Sequence, residues 1–464
     1  MADRPIIAPV NSDPDGLPLP QRYWAILAIA LGLTLAVLDG AIANVALPTI
    51  GRELDASPAS TIWVVNAYQL AVTISLLPLA SLGDIYGYRR VYQWGLVVFT
   101  IASLGCALSD SLATLTIARI VQGFGAAGIM SVNGALVRFI YPRRWLGRGV
   151  GLNATIGSIA SAVGPTVASG ILAIGPWPWL FAVNVPIGLL AIPLAWRVLP
   201  HTASSHARFD VRSAIWSALT FGLLISAIAG LGHGEGAAIA IAELVAALGF
   251  GFVLVTRQLS QTSPMLPVDL LRIPLFALSV ATSICSFVAQ SMALVSLPFL
   301  FENTLGRNQV ETGLLLTPWP LAVAVIAPFT GRLSDRYPAG LLGGCGLAVM
   351  ATGLALLSAM PAHPATYDII WRMLICGIGF GFFNTPNNRA IITSAPPTRA
   401  GAASGMQATS RLLGQSMGAA MVALLFGLFP LNGTTVALMA AACAAAGAAL
   451  VSFLRLVGRA RVTR

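Results

Sequence analysis

Two charged side chains lie inside long apolar stretches of the sequence, where ionised groups are rare. Asp39 follows an apolar run that begins near residue 23, and Arg119 lies within the apolar run 112–138. An ionised side chain at the centre of a lipid bilayer costs about 3 kcal/mol on insertion scales, so such residues pair, face water or exchange a proton. Because a carboxylate is also a proton acceptor, Asp39 is the strongest candidate in the chain for proton chemistry.

The composition requires a membrane setting for these residues. Of the 464 residues, 57% are hydrophobic and only 9% are charged, whereas soluble domains carry roughly 25% charged residues. A helix needs roughly 20 apolar residues to cross about 30 Å of hydrocarbon. Runs such as 244–255 and 436–450 are apolar on every side rather than at alternate positions, which excludes the β-barrel pattern. The sequence therefore predicts an all-α polytopic membrane protein.

Breaks at arginine, proline and glycine divide the chain into fourteen predicted spans. An even number of spans places both termini on one side of the membrane. We expect a tail at 1–22, a six-helix half at 23–197, a linker at 198–211, an inserted pair of helices at 212–257, a second six-helix half at 275–457 and a tail at 458–464. The spans themselves are predicted at 23–48, 61–82, 91–109, 112–138, 149–174, 178–197, 212–231, 237–257, 275–302, 311–333, 340–359, 366–393, 402–429 and 433–457.

The basic residues indicate how the chain is oriented. All 26 are arginines, and 21 of them fall in loops or tails on the side of the termini. The opposite side has only Arg52 and Arg307, while Arg119, Arg372 and Arg411 lie inside spans. Positively charged loops remain in the cytoplasm, so we expect a bacterial inner-membrane protein with both termini cytoplasmic. The net charge of +10 is then a topology signal, with no nucleic-acid partner expected, although the arginines at 138–148 could also contact anionic membrane lipids.

Asp39 and Arg119 are expected at the same depth in the membrane. On this topology Asp39 lies about eight residues from the outer end of the first span, and Arg119 about seven residues from the outer start of the fourth, so both lie roughly 10–12 Å below the outer surface. A neighbouring arginine favours the ionised aspartate, and its removal favours protonation, which would couple conformation to proton binding. Two alternatives stay open: a permanent structural ion pair, and an arginine that extends to the outer headgroups.

A direct repeat divides the chain into its two halves. The segment LGD at 82–84 recurs as LSD at 333–335, and LAV at 70–72 recurs at 321–323, both 251 residues later. The pattern GxG at 123–125 recurs at 377–379, 254 residues later. A parallel repeat of six-helix units is the plan of one large class of secondary transporters, in which the substrate path lies between the halves.

Several motifs then point to one family. In the segment LDGAIANVALPTI at 38–50, Asp39 is followed by an asparagine and then by the residues ALP. The segment at 115–127 has the pattern LxxxRxxQGxGAA around Arg119. The segment WPWLFAVNVP at 177–186 is similar to a further family motif that includes an asparagine, here Asn184. With these motifs the chain resembles the major facilitator superfamily along essentially its whole length, and specifically its fourteen-helix drug:proton antiporter branch. The resemblance implies the major facilitator fold and a proton-coupling role for Asp39 and Arg119.

The segment ASLGDIYGYRR at 80–90 resembles the loop motif of the same superfamily, GxLADRxGRK. The resemblance implies a cytoplasmic gate, in which the second glycine forms a tight turn and the aspartate lies against a helix N-terminus of the opposite half. The arginines would hold carboxylates or lipid phosphate, but two basic positions of the motif are replaced by Ile85 and Tyr88. A loop that serves only topology is the alternative. The residues assigned to the gate are Asp84, Gly87, Arg89 and Arg90, with Asp335 and Arg336 in the repeat copy.

The fifth span resembles the motif taken as a mark of antiporters in this superfamily, through Gly157, Gly164 and Pro165. Small residues three and four positions apart form one face, against which another helix can pack closely, and the proline permits a bend. A face used only for packing is an equal alternative. Further polar residues in the spans are expected to line a cavity: Asn44, Tyr68, Gln69, Gln122 and Arg411.

The resemblance implies a monomeric, proton-coupled multidrug efflux antiporter that exports small amphipathic or cationic organic compounds by alternating access. The alternative is a proton-coupled exporter of one dedicated metabolite, such as a siderophore, an amino acid or a sugar. A membrane-embedded enzyme would require a cluster of histidine or acidic residues at one depth, and the sequence predicts none.

Cofactors and metals are not expected. The five cysteines lack C-x-x-C spacing, the four histidines fall in predicted loops, and the chain has no GxxxxGK[ST] segment that could bind ATP. The proton gradient is then the expected energy source. Glu302, near an outer helix end, is expected to be solvated.

The topology can be tested with a single cysteine in a cysteine-free background. A cysteine in place of Gly234, in the predicted external loop 232–236, should react with an impermeant thiol reagent added to intact cells. A cysteine in place of Ser205, in the predicted cytoplasmic linker, should react only after lysis. The reverse pattern would contradict the fourteen-span topology.

Overall fold

The computed structural model describes residues 16–142, 145–201, 209–231, 237–260, 267–334, 336–361, 363–396 and 399–462. These residues form fourteen long helices and no strand. The helices are α1 (Gln21–Glu53), α2 (Pro58–Tyr86, interrupted at Ile62), α3 (Tyr88–Ala107), α4 (Leu112–Ile140), α5 (Leu146–Ile174), α6 (Trp179–Val198), α7 (Val211–Gly230), α8 (Ala237–Leu259), α9 (Pro274–Phe299), α10 (Gln309–Leu333), α11 (Ala339–Ser358), α12 (Thr366–Ser394), α13 (Ala400–Leu428) and α14 (Gly433–Val462).

Every predicted span corresponds to one of these helices. Among the described residues, thirteen helices are long and apolar enough to cross a bilayer, and α3 is the exception because its first two turns include Arg89, Arg90 and Gln93. The predicted ends were too short for α1 and α2, which continue to Glu53 and Tyr86. The segment predicted as a tail, 458–464, is helical as far as Val462. Polar and charged residues at these ends concealed the last turns of the helices.

Three predicted segments lie partly or wholly outside the described residues. They are the tail 1–22, the linker 198–211 and the loop 232–236, of which the structure describes 16–22, 198–201 and 209–211. The side of the membrane on which each loop lies therefore remains a prediction. Below, the arginine-rich face is the side that carries the two chain ends, and the opposite face is the other side.

The two halves repeat one packing arrangement. In the first half, α1 packs against α5 and α6, α2 against α4, and α3 against α4 and α6. In the second half, α9 packs against α13 and α14, α10 against α12, and α11 against α12 and α14. Each contact in the first half thus has a counterpart in the second, which confirms the predicted fold of two six-helix halves and an inserted pair.

Glycines at equivalent positions bring the central helices of each half together. A Cβ on Gly95 of α3 would lie 2.9 Å from the carbonyl oxygen of Gly125 on α4. In the second half, a Cβ on Gly346 of α11 would lie 2.6 Å from the carbonyl oxygen of Gly379 on α12. Only hydrogen fits in these contacts, so the small residues of the repeat set the distance between neighbouring helices.

Helix pairs that join the halves include α1 with α9 and with α10, α2 with α13, and α5 with α10. The inserted helices α7 and α8 pack against each other through Trp216 and Phe250, whose rings are 5.3 Å apart, and through an Arg257–Asp210 ion pair of 2.9 Å. Because α7 lies against α2 and α13, the inserted pair covers the outside of one junction between the halves.

The glycine contacts predict a position-dependent cost of adding one methyl group to α4. Gly125→Ala should lower the thermal unfolding temperature of the purified protein, because the new Cβ would collide with the backbone of Phe99 and overpacking costs about 1–3 kcal/mol. Gly134→Ala on the same helix should be neutral or slightly stabilising, since no atom lies within 4 Å of its Cβ position. Equal unfolding temperatures for the two variants would contradict this account.

Candidate functional site

Asp39 lies at the centre of a fully enclosed polar cluster in the first half. Its side chain, 1% exposed, forms an ion pair with Nη1 of Arg119 through Oδ2. Its other oxygen, Oδ1, accepts hydrogen bonds of 2.8 Å from Nε2 of Gln122 and 2.8 Å from Nδ2 of Asn184. Helices α1, α4 and α6 therefore converge on one carboxylate, which has donors on both oxygens.

Arg119 is held through two of its three guanidinium nitrogens and through aromatic rings, while Nη2 has no hydrogen-bond partner. Its Nε donates to the carbonyl oxygen of Val64 at 3.0 Å, and its Nη1 also donates to Oε1 of Gln122 at 2.6 Å. The guanidinium carbon lies 4.1 Å from the ring centre of Tyr68 and 5.4 Å from that of Phe181. Cation–π contacts of this kind are strongest where water is excluded. The cluster thus balances its two opposite charges internally and needs no counter-ion.

A further layer of hydrogen bonds fixes the cluster. The Nε2 of Gln122 also donates to Oγ of Ser103 at 2.8 Å, and the hydroxyl of Tyr68 donates to the carbonyl oxygen of Ala36 at 2.9 Å. Tyr68 and Gln122, which we expected to line a cavity, are instead enclosed here. Our sequence-based list of site residues did not include Asn184 or Ser103. The motif at 177–186 contained a signal for Asn184, whereas nothing in the sequence distinguished Ser103 from other small polar residues.

The described residues of the second half form no equivalent of this cluster. The repeat offset of 254 residues matches Arg119 with Met373 and Gln122 with Cys376, and the offset of 250 matches Asp39 with Ala289. All three counterparts are buried apolar residues. The groups that point at Asp39 are N–H donors, and both oxygens of the carboxylate accept from them.

The predicted gate residues make their contacts within their own half. Gly87 separates α2 from α3 in a single residue with a φ of +95°, a conformation that favours glycine. Asp84 is exposed at the end of α2 and accepts a hydrogen bond from Tyr88, rather than lying against the opposite half as expected. Arg89 donates to the carbonyl oxygen of Trp196 and lies 2.9 Å from the His201 ring nitrogens. Arg90 is on the surface, Arg336 is exposed and Asp335 lies outside the described residues.

The small-residue face of α5 lies where the halves meet. A Cβ on Gly164 would lie 2.5 Å from the Cβ of Ala41 on α1, and one on Gly157 would lie 3.8 Å from Leu33. On its other side, the carbonyl oxygen of Pro165 lies 2.7 Å from the Cβ position of Gly313 on α10. The motif therefore allows α5 to contact a helix of each half at once.

Polar contacts join the halves at the opposite face. Arg52 of α1 forms an ion pair of 2.8 Å with Glu302, and Thr49 donates to the same carboxylate at 3.1 Å. A second contact joins Thr166 of α5 to Thr317 of α10 at 2.9 Å. Glu302 was expected to be solvated but is only 7% exposed, because the π-helical turn Leu300–Thr304 turns it toward α1. The opposite face is therefore closed.

Three of the residues predicted to line a cavity have buried atoms without partners. The side-chain oxygens of Asn44 and Gln69 and the Nε of Arg411 are buried and form no hydrogen bond. Asn44 uses its other atom, Nδ2, to donate to the carbonyl oxygen of Gly40 at 3.3 Å. These groups have hydrogen-bonding capacity that the protein itself does not use in this conformation.

The enclosed ion pair predicts a characteristic stability pattern. Arg119→Gln should lower the thermal unfolding temperature markedly, because loss of one member of a buried pair costs about 3–5 kcal/mol. Adding Asp39→Asn to that variant should restore most of the stability, since no unpaired charge remains. Arg272→Gln, at an exposed position, controls for loss of one positive charge. A double variant as unstable as Arg119→Gln would contradict the pairing.

Comparisons with known proteins agree with this architecture. The chain matches the Major Facilitator Superfamily over residues 29–419. It is 60% identical to the uncharacterized transporter YebQ of Escherichia coli, over 95% of this chain and 97% of that protein. It is also 28% identical to the riboflavin transporter RibZ of Clostridioides difficile, over 88% of each chain. The multidrug resistance protein Stp of Mycobacterium tuberculosis is 34% identical, over 86% of this chain and 75% of that protein.

Solved structures show the same fold at low sequence identity. A D-xylose–proton symporter superposes with a TM-score of 0.68 at 15% identity, covering 93% of this chain and 97% of the symporter. Such similarity establishes the fold alone. Together with the match along most of the sequence and the repeated helix packing, it shows that the chain is a membrane transporter and not an enzyme. The protein belongs to the major facilitator superfamily.

Proposed function

We propose that the protein is a proton-coupled antiporter that exports small amphipathic organic compounds by alternating access. The observation that carries this proposal is the enclosed cluster of Asp39, Arg119, Gln122 and Asn184. A carboxylate that is buried within the membrane-spanning bundle and surrounded by hydrogen-bond donors is stable while it is ionised. Its protonation removes the negative charge to which all of those donors are bound.

Protonation of Asp39 would weaken several contacts together. The neutral acid attracts Arg119 less, and a hydrogen on one oxygen conflicts with the donors that point at it. Asp39 and Arg52 lie on the same helix, thirteen residues and therefore about 20 Å apart. A shift of α1 on proton binding would therefore reach the Arg52–Glu302 contact at the opposite face. Such a link between a titrating group and a gate is what coupled transport needs.

The conformation supports a cycle with at least two states. The halves are held together at the opposite face by Arg52 with Glu302 and by Thr166 with Thr317. At the arginine-rich face, Asp84 and Arg89 bond within the first half. With the arginine-rich face assigned to the cytoplasm, this state is closed to the outside and receives its substrate from the cytoplasm of a bacterium.

The similar proteins support export, and they support two candidate substrate ranges. Similarity to the multidrug resistance protein Stp favours a broad range of compounds, as does the branch that the motifs resemble. Similarity to the riboflavin transporter RibZ favours the second candidate, a transporter of one dedicated metabolite. In either case we propose that a monomer in the bacterial cytoplasmic membrane, with both termini cytoplasmic, uses the proton gradient without ATP or another cofactor.

Proton coupling is tested by Asp39→Asn in proteoliposomes. An imposed pH gradient should drive uphill movement of test compounds by the wild-type protein, and this movement should be lost in Asp39→Asn because an amide exchanges no proton. Compound-induced proton flux, followed with a pH-sensitive dye, should be lost in parallel. Asp110→Asn, an exposed aspartate at the start of α4, is the matched control and should transport normally. Full gradient-driven transport by Asp39→Asn would refute the assignment.

A further inference from the structure

Arg411 differs from the other arginines buried in the helix bundle. It lies eleven residues from the start of α13, about 16 Å along the helix and hence near the middle of the membrane. Arg119 pairs with Asp39, Arg372 pairs with Asp368 at 3.1 Å, and Arg455 donates to Ser279, Asn387 and Ser452. Arg411 forms no hydrogen bond or ion pair with another described residue; its Nε, like those of Arg372 and Arg455, is buried without a partner.

The neighbours of Arg411 on α13 show where the residue faces. Leu412 packs with the first-half core that includes Tyr68 and Val72 of α2. A Cβ on Gly414 would lie 2.6 Å from the carbonyl oxygen of Ile284 on α9. Since each helical residue turns by about 100°, Arg411 lies between the side of α13 that faces α2 and the side that faces α9.

The remaining side of α13 is covered, which excludes the lipid as the environment of Arg411. Ala420, on the side of α13 away from Arg411, packs against Ile225 of the inserted helix α7. The guanidinium is therefore directed between the two halves, where the transport path of this fold lies. Partial exposure of the residue at this depth indicates space beside it on the inside of the bundle.

A chain of neutral amides begins one helical turn from Arg411. Gln407, one turn earlier on α13, donates to Oδ1 of Asn388 on α12 at 3.0 Å, and Asn388 donates to Oδ1 of Asn384 at 3.2 Å. Amides of this kind hydrogen-bond a ligand without compensating a charge. The side of the path formed by α12 and α13 therefore combines one positive charge with neutral polar groups.

The acidic side chains inside the bundle already bind other residues of the protein. Asp39 is enclosed and paired with Arg119, and Glu302 is paired with Arg52 at the opposite face. Glu243, in the inserted pair, accepts from Ser226 at 3.1 Å. No described carboxylate is thus available to a compound in the path, while an unpaired guanidinium is. The described part of the path therefore offers no free carboxylate to the cationic compounds that the family resemblance implies.

We infer that Arg411 binds an acidic group of the transported compound, so that the substrates of this protein are organic acids. A guanidinium presents two parallel donors that match a carboxylate or phosphate, and such charge-assisted bonds strengthen where water is excluded. The neutral amides of α12 and α13 would contact the polar remainder of the molecule. This inference rests on the proposed export function and replaces cations by anions as the substrate class.

The inference is tested by equilibrium binding to the purified full-length protein. One probe set keeps a single ring system and changes only its charge: 2-naphthoate, 2-naphthamide and 2-naphthylmethylammonium. A second pair is flavin mononucleotide and riboflavin, which differ by a phosphate. Tryptophan fluorescence quenching and thermal stabilisation should both show the acidic member of each set binding at least tenfold more tightly than its neutral or cationic counterpart.

Variants of Arg411 identify the residue responsible. Arg411→Gln should abolish the preference for the acid, whereas Arg411→Lys should retain a reduced preference because the charge remains. Arg272→Gln, on the surface, should bind like the wild type. Melting curves establish that each variant is folded. Tightest binding of the cation, no measurable binding of either acid, or an unchanged preference in Arg411→Gln would each overturn the inference.

Binding requires no proton gradient, so its outcome is independent of the coupling test. If the acids bind through Arg411 while Asp39→Asn still exports under a pH gradient, the proton-coupling proposal fails and the substrate class stands. If Asp39→Asn loses export but the acids do not bind, the substrate class fails alone.

Discussion

An aspartate and an arginine enclosed together in an apolar medium constrain everything around them. Neither charge tolerates separation without water, because an unpaired ion in a low-dielectric interior costs several kcal/mol. The first half meets this constraint by bringing α1, α4 and α6 to one point, where amides from Gln122 and Asn184 complete the carboxylate and the Tyr68 ring lies against the guanidinium. Under the proposed function, a proton on Asp39 would remove this pairing and leave the charge of Arg119 without its partner.

The two halves of the repeat share their helix packing but differ in their buried polar residues. Backbone contacts between glycines, such as Gly95 with Gly125 and Gly346 with Gly379, occur in both halves and require only small residues. The ion pair occurs in one half, and its counterparts in the other are alanine, methionine and cysteine. Packing surfaces are stabilising in each copy, whereas each buried ion pair carries a desolvation penalty. The described residues of the two halves thus share a packing frame but differ in their buried polar side chains.

The closed opposite face is held by few polar contacts and contains unsatisfied atoms. Oε1 of Glu302 and both amide atoms of the fully buried Asn66 have no hydrogen-bond partner. A buried polar group without a partner costs about 1–3 kcal/mol, so these atoms offset part of the gain from the Arg52–Glu302 ion pair. Of these atoms, Oε1 of Glu302 would regain water if the halves separated here, because Glu302 contacts α1 of the other half. A face that is only weakly favoured when closed suits a transporter, because neither conformation of such a protein can be greatly more stable than the other.

The sequence alone determined the helices, the repeat and the shared depth of Asp39 and Arg119. Span length follows from the thickness of hydrocarbon, and depth follows from a fixed rise per residue, so both can be read along one chain. The partners of a side chain depend instead on how each helix is rotated and which helix packs beside it. Only the tertiary structure therefore showed that Asn184 and Ser103 belong to the cluster, that Glu302 is buried by a π-helical turn, that Asp84 bonds within its own half, and that Arg411 has no counter-ion. The contacts of Asn184, Ser103 and Arg411 depend on how the helices pack together, which no local pattern encodes.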